Sequence, residues 1–162
     1  KYYQVQVANH TELRLLNSSA GQMSCEDMEK IIVNYIADVL ADNPRVFVNT
    51  EFRDDNLQFK ILDYNVIALH GHTVTNQKTL IRDKSSQYKK FFSYAMIGHF
   101  HNSMEISVGE QSDHEEKLLC APSIVGTCPY ADSLMVGGKA AFKIHTFERG
   151  KGHVSSKTII LN

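Results

Sequence analysis

The sequence has few cysteines, no long apolar run and no excess of charge of one sign. Its three cysteines, Cys25, Cys120 and Cys128, include no CxxC pair. So sparse and odd a set excludes a disulfide framework and predicts reduced thiols in a cytoplasmic protein. No apolar run approaches the ~20 residues of a membrane-spanning helix, so no membrane partner is expected. Seventeen basic against eighteen acidic residues give a net charge of -1, which excludes nucleic-acid binding by bulk positive charge alone.

The length and the start of the chain bound its domain organisation. A chain of 162 residues, 43% of them hydrophobic, is large enough to bury a core and predicts one domain over residues 1–162. Its first residues, Lys1-Tyr2-Tyr3-Gln4, include neither an initiator methionine nor a signal peptide. We therefore expect the chain to be cut from a longer protein.

Residues 24–40 predict an amphipathic helix. Ser24-Cys25-Glu26-Asp27 resembles a capping box, and Asp42-Asn43-Pro44 ends the pattern. The apolar residues between them recur at helical spacing: Met28, Ile31, Ile32, Tyr35, Ile36, Val39 and Leu40. We expect this helix to be core scaffold without a cofactor role.

The remainder of the chain predicts a mixture of strands with one further helix. Residues 75–90 are polar and basic, which indicates a surface helix followed by a loop. A hairpin turn is predicted at 148–152. Short apolar or alternating runs predict strands at 2–8, 45–49, 57–62, 65–69, 94–97, 104–108, 117–120, 140–147 and 154–161. This order predicts an α/β fold.

Histidines are concentrated at the ends of predicted strands. Asn9-His10, His70-Gly71-His72 and Gly98-His99-Phe100-His101 each follow an apolar strand directly. In an α/β sheet, ligands collect outside the carboxyl ends of the strands. If the three strands run parallel, the three blocks therefore converge, although 61 residues separate Asn9 from His70.

Metal binding explains why histidine occurs in these blocks. Imidazole is the commonest metal ligand near neutral pH. In an extended segment, side chains two residues apart, such as those of His99 and His101, point to the same side. The alternative is a strand-end histidine that is only hydrogen-bonded, and His72 could simply flank the site. The remaining histidines lie in polar turns or strand edges and are expected to be structural or solvated: His114, His145 and His153.

A basic run follows the second block. It contains one acidic residue, Asp83, and five basic ones: Lys78, Arg82, Lys84, Lys89 and Lys90. Such runs are usually solvated faces, but this one begins six residues after His72. A phosphate-bearing substrate is the other interpretation.

The histidine blocks resemble those of the calcineurin-like metallophosphoesterases, in particular phage and prophage members related to DNA-repair exonucleases. Three of the five family motifs occur in order. Ala8-Asn9-His10-Thr11 resembles the Gly-Asn-His-acidic block, His70-Gly71-His72 the isolated-histidine block, and Gly98-His99-Phe100-His101 the Gly-His-x-His block. Ala121-Pro122-Ser123 resembles the segment that follows a hairpin after the last block.

The resemblance implies a two-sheet α/β sandwich with flanking helices that holds two divalent metals, manganese, zinc or iron. Asn9, His70 and His99 would bind one metal, and His101 the other. His10 would be the catalytic histidine that stabilises the transition state or protonates the leaving oxygen. The implied reaction is in-line attack of metal-activated water on a phosphoester, with DNA or a nucleotide as the substrate class.

Two departures from the family pattern shape the expected activity. The Asp-x-His and Gly-Asp motifs, which supply the bridging aspartate, do not occur in this sequence. The family's acidic residue after the catalytic histidine is Thr11 here, with Glu12 next to it. We therefore expect a C-terminal portion of a catalytic domain that binds at most one metal, hydrolyses phosphoesters weakly or not at all, and self-associates through uncovered surface or lacks an N-terminal segment.

Two other functions remain open from the sequence. One is a noncatalytic subunit that keeps the fold and binds a partner protein. The other is a histidine-rich metal-binding domain without phosphoester chemistry. An upstream segment with the Asp-x-His and Gly-Asp motifs would favour the enzyme.

Overall fold

The structure is a computed structural model that describes residues 2–3, 28–50, 56–111, 114–126 and 138–161. The chain divides into two compact units, Lys1–Leu57 and Gln58–Asn162. The prediction of a single domain over 1–162 stays a prediction. In the described ranges, no helix is long and apolar enough to cross a membrane.

The first unit contains one helix and a two-stranded parallel pairing. Its elements are β1 (Tyr2–Tyr3), α1 (Met28–Val39) and β2 (Phe47–Val48). Tyr2 of β1 is in register with Phe47 of β2. These elements lie within the predicted ranges, and residues 4–8 and the capping box at 24–27 lie outside the described residues.

The apolar stripe of α1 is more exposed than the sequence predicts. Val33 is fully buried, whereas Ile31, Tyr35 and Val39 are 61%, 69% and 62% exposed. The expectation that this helix is core scaffold is therefore wrong for these three side chains. Periodicity determines which face of a helix is apolar, but it does not determine what covers that face.

The second unit is built on a five-stranded mixed sheet in the order β3-β4-β5-β7-β6. The strands are β3 (Leu57–Ile61), β4 (Tyr64–Leu69), β5 (Tyr94–Ile97), β6 (Met104–Gln111) and β7 (His114–Cys120). β4 and β5 are parallel, as are β5 and β7, and β6 is antiparallel to β7. The carboxyl ends of the three central strands consequently lie at one edge of the sheet.

The central strands are buried on both faces, which explains their continuous apolar runs. On one face, α2 (Leu80–Tyr88) contributes Leu80 and Ile81 to the core. Their partners in that core are Ile67, Leu69, Phe92, Ala95, Ile97, Leu118 and Cys120. On the other face, Val66, Tyr94 and Leu119 form a smaller cluster against which Phe147 packs. Burial raises the pKa of the Cys120 thiol, a free cysteine that is inert in the core.

A hairpin completes the second unit. β8 (Ala141–Glu148) and β9 (Gly152–Ile160) are antiparallel and form their own two-stranded sheet, and the turn between them falls at the predicted position. Tyr94 of the larger sheet accepts a hydrogen bond from the His153 backbone N–H at 2.9 Å. The predicted α/β fold class is therefore confirmed.

Two glycines of the hairpin allow a matched test of its packing. Gly150 and Gly152 have φ of +71° and +76°, but a Cβ on Gly150 meets nothing within 4 Å, whereas a Cβ on Gly152 meets the Tyr94 hydroxyl. We expect Gly150→Ala to lower the free energy of unfolding by about 1–2 kcal/mol, the cost of left-handed backbone. Gly152→Ala should cost a further ~1–3 kcal/mol, because Glu115 and His153 hold the Tyr94 hydroxyl in place.

Urea denaturation followed by far-ultraviolet circular dichroism measures both costs, and Gly150→Ala is the control for backbone strain. Equal losses in the two variants would contradict the proposed overlap with Tyr94.

Candidate functional site

Three loops meet at the carboxyl edge of the central strands. His70 follows β4, Gly98 follows β5 and Ala121 follows β7. Backbone hydrogen bonds join them: the Gly98 N–H donates to the His70 carbonyl at 3.1 Å, and the Ala121 N–H donates to the Ile97 carbonyl at 2.8 Å. Two of the predicted histidine blocks and the predicted Ala-Pro-Ser segment therefore share one edge.

The side chains of His70 and His99 lie against each other at this edge. His99 Nδ1 is 3.3 Å from His70 Nε2, and the ring centroids are 5.1 Å apart at an interplanar angle of 67°. Which of these two nitrogens donates and which accepts depends on the ring tautomers. The predicted convergence of these two blocks is confirmed, although 29 residues separate them.

An unusual backbone turn places the His99 side chain there. The Phe100 N–H donates to the Gly98 carbonyl at 2.8 Å, which closes a three-residue turn around His99, whose φ is +67°. His101 follows at φ +55°. Left-handed conformations of non-glycine residues cost on the order of 1–3 kcal/mol and cluster at functional sites, where surrounding structure enforces them.

Gly71 allows the two histidine loops to approach closely. Its φ is +104°, and a Cβ at this position would lie 3.2 Å from the Gly98 carbonyl oxygen and 3.3 Å from the Phe100 ring. A larger residue would therefore push the β4 and β5 loops apart. The glycine of the His-Gly-His block thus serves the His70–His99 contact.

Of the other two histidines in these blocks, His72 lies near the pair. The exposed His72 ring has its centroid 5.5 Å from that of His70 and 6.3 Å from that of His99. His101 is half-buried, and its carbonyl oxygen is 3.8 Å from where a Cβ on Gly138 would be.

The His70–His99 spacing fits two ligands of one metal ion. Two imidazole nitrogens, each ~2.0–2.1 Å from a tetrahedral ion, are about 3.3–3.4 Å apart. The observed separation is 3.3 Å. Within the part of the chain that the structure describes, no group of three or more His, Cys, Asp or Glu side chains is arranged to hold a metal. The pair therefore fits two positions of a site, and the described residues do not complete it.

The first predicted block cannot be placed. Asn9 and His10 lie outside the described residues, as do Thr11 and Glu12. Their assignment as metal ligand, catalytic histidine and neighbouring polar groups stays a prediction.

The basic run of residues 78–90 is spread along α2 and both ends of the sheet. Lys78 precedes the helix, on the loop that leaves His70. Lys89 and Lys90 follow it and lead into Ser93, whose N–H donates to the Asn65 carbonyl at the start of β4. These two lysines are therefore at the opposite edge of the sheet from His70. Of the run, Lys78 is the residue closest in the chain to the histidine edge.

A second polar cluster was not predicted from the sequence. His145 and His153, expected to be structural or solvated, lie 3.1 Å apart at their nearest ring nitrogens, and His153 is buried. They come from β8 and β9, and Lys117 of β7 approaches His153. The alternation of β8, with polar residues at inward positions, was the signal in the sequence.

Comparison with known proteins gives a relative of unknown function. No family model matches the chain. The chain is similar to a prophage protein. It is 42% identical over all 162 residues to the SPbeta prophage-derived uncharacterized protein YonJ of Bacillus subtilis strain 168. The chain spans 40% of the length of that relative.

Solved structures with a similar arrangement include proteins of different kinds. Wild-type Vps29 of Entamoeba histolytica complexed with zinc has 16% identity and a TM-score of 0.47, with 77% of this chain and 74% of that chain covered. An archaeal phosphodiesterase has 15% identity and a TM-score of 0.45, with 88% and 66% covered. A predicted phosphoesterase of Streptococcus pneumoniae has 15% identity and a TM-score of 0.38, with 82% and 91% covered. Sequence identities this low do not assign a chemistry to the site, which therefore has to be inferred from the site's own residues.

Proposed function

We propose that the chain contributes metal ligands to a metal-dependent phosphoesterase of the calcineurin-like type. The observation that carries this proposal is the 3.3 Å separation of His70 Nε2 and His99 Nδ1 at the edge shared by β4 and β5. His99 belongs to the Gly-His-x-His block, the most specific part of the resemblance, and His70 belongs to the block that resembles the isolated-histidine motif. Imidazole is a ligand for zinc, manganese and iron, so the donor type fits a transition metal.

The backbone around the two histidines orients them for this task. The Gly98 N–H to His70 carbonyl bond ties the start of one loop to the other, and the turn at His99 directs its Nδ1 toward His70. A site whose ligands are held before the metal arrives loses less entropy on binding. The strained turn at His99 is thus consistent with a pre-organised ligand.

The remaining roles follow from the resemblance. Asn9 would join His70 and His99 on one metal, His101 would bind a second metal, and His10 would protonate the leaving oxygen. A bound divalent metal supplies Lewis-acid polarisation of a phosphoryl oxygen and lowers the pKa of a water nucleophile. The substrate class is a phosphodiester, of a nucleotide or of DNA, with Lys78 on the histidine-side loop as the nearest basic residue of the run.

Metal binding by this chain tests the ligand assignment directly. Calorimetric titration with zinc or manganese should show at most about one site per chain. His70→Ala and His99→Ala should each lower the affinity by more than the ~10–100-fold typical of residues that only orient a ligand, because each removes a ligand nitrogen. His72→Ala is the control: its imidazole is exposed on the same loop and has no assigned ligand role.

Circular dichroism of each variant shows that a loss of affinity is not a loss of fold. Unchanged affinity in both His70→Ala and His99→Ala would contradict the metal site, and it would favour the noncatalytic partner-binding alternative.

A further inference from the structure

A cluster of polar side chains joins the β8–β9 hairpin to the five-stranded sheet. We call it the histidine–lysine cluster, and its members are Glu105, Glu115, Lys117, Lys143, His145, His153 and Ser156. Lysine contacts cross from one sheet to the other in both directions: Lys143 Nζ of β8 is 2.7 Å from Glu105 Oε1 of β6, and Lys117 Nζ of β7 is 3.4 Å from His153 Nδ1 of β9. The Lys143 side chain is only 8% exposed. The hairpin is therefore held by charged and titratable groups as well as by apolar packing.

The contact with Lys117 determines the protonation of His153. A lysine ammonium donates hydrogen bonds and accepts none, so His153 Nδ1 must be the acceptor. The ring is then neutral, with its proton on Nε2. His153 Nε2 is 2.9 Å from Ser156 Oγ and 3.1 Å from His145 Nδ1.

The His145 ring must also be neutral, with no proton on Nδ1. This nitrogen faces the protonated Nε2 of His153 at 3.1 Å and the Ser156 hydroxyl at 2.8 Å. A proton on Nδ1 would place two N–H donors against each other. The cluster is thus satisfied with both histidines neutral, and protonating either breaks a hydrogen bond inside it.

In the described part of the chain, the carboxylates near the two rings are already in ion pairs. Two lysines and two glutamates of that part face the rings, and they pair as Lys143 with Glu105 and Lys117 with Glu115. Burial lowers the pKa of both His145 and His153, the nearby lysines lower it further, and the charge of Glu105 opposes this without reversing the shift. The hydrogen bond from Lys143 lowers the pKa of Glu105 to about 2.

Glu115 and Tyr94 keep their charge state near neutral pH. Burial opposes the ionisation of Glu115, but the hydrogen bonds from Lys117 and Tyr94 leave its pKa below its usual value. Burial raises the pKa of the Tyr94 hydroxyl. Between pH 5.5 and 7.5, the two histidines therefore titrate while Glu105, Glu115 and Tyr94 do not.

We propose that the histidine–lysine cluster is a pH-sensitive latch that docks the β8–β9 hairpin on the sheet when His145 and His153 are neutral. When the hairpin opens, both rings reach water and their pKa values return to ~6.5. Since the docked values are lower, docking is at full strength above pH ~6.5 and weakens as the pH falls toward the docked pKa values. One titrating histidine changes the opening equilibrium by up to about tenfold per pH unit.

The start of β8 connects the latch to the candidate site. The Ala141 N–H donates to the Ser123 carbonyl at 2.9 Å, so β8 is tied to the loop that follows β7 at the histidine edge. Gly138, three residues earlier, lies beside the carbonyl oxygen of His101. Release of the hairpin would therefore loosen the backbone around His101.

Hydrogen exchange followed by mass spectrometry tests the latch on the chain as it stands. After correction for intrinsic rates, protection of the amides in β8 and β9 should fall severalfold or more between pH 7.5 and 5.5, relative to α2 and β4. The double variant His145→Asn/His153→Asn should lose most of this pH dependence, because asparagine does not titrate. An unchanged wild-type protection ratio, or an equal fall in the double variant, would overturn the proposal.

A second measurement does not depend on the folding of the double variant. NMR titration of the histidine rings in the wild-type chain should give pKa values below 6.5 for His145 and His153. Lys117→Met should raise the value for His153, because it removes the ammonium that faces Nδ1. Wild-type values at or above 6.5 would overturn the latch.

Discussion

Replacing His99 by alanine should lower the kcat/KM of manganese-dependent hydrolysis of bis-p-nitrophenyl phosphate by on the order of 10³-fold or more in the complete gene product. His99 is proposed as a metal ligand, and its loss should exceed the ~10–100-fold effect of a residue that only orients a ligand. His10→Ala should lower kcat by ~10²–10⁴-fold, the usual contribution of general acid catalysis.

His72→Ala is the matched control for this experiment. It removes an exposed imidazole whose ring centroid is 6.3 Å from that of His99, and we expect its activity to stay within tenfold of wild type. The 162-residue chain alone should hydrolyse the substrate near background, as the absence of the Asp-x-His and Gly-Asp motifs from its sequence predicts. Activity of the chain alone equal to that of the complete gene product would contradict that argument, and full activity in His99→Ala would contradict the site.

The second large effect concerns the core rather than the site. Phe92 and Phe91 are adjacent, but Phe92 is fully buried whereas Phe91 is 42% exposed. The Phe92 ring packs in the core between α2 and the sheet and meets the Tyr88 ring edge-on, with centroids 6.3 Å apart. We expect Phe92→Ala to lower the free energy of unfolding by ~3–5 kcal/mol, because it removes a buried ring and leaves a cavity.

Phe91→Ala is the control and should cost less than about 1 kcal/mol. The hydrogen bond from Asn65 Nδ2 to the Phe91 carbonyl, 2.9 Å long, is made by the backbone and survives the substitution. Urea denaturation should be followed by circular dichroism, since the sequence has no tryptophan. Equal losses in the two variants would show that α2 is not packed as described.

The strands of the second unit were predictable because their sequences carry strong local signals. Residues 94–97 were predicted as a strand and form β5 with the same bounds. A short apolar run predicted a strand at 65–69, and Val66, Ile67 and Leu69 of that run are buried. An apolar run of this length has few other ways to leave water.

Part of the candidate site was predictable for the same reason. A histidine directly after a buried parallel strand has to lie at the carboxyl edge of the sheet. The sequence therefore predicts that His70 and His99 lie near each other. The spacing of the histidines in the sequence does not predict the left-handed turn at His99 or the close approach of the two loops that Gly71 allows. Both depend on the exact distance between two loops, which the sheet determines.

The α/β class, the order of strands along the chain and the histidine edge could be predicted from the amino-acid sequence, because each rests on local periodicity or on a short motif. The exposure of four apolar side chains on α1 and the position of Lys89 and Lys90 away from the histidines are seen only in the three-dimensional structure. It also shows that His145 and His153 meet Lys117 between two sheets. These outcomes depend on which elements face each other, and contacts between residues distant in the chain leave no periodic signal in it.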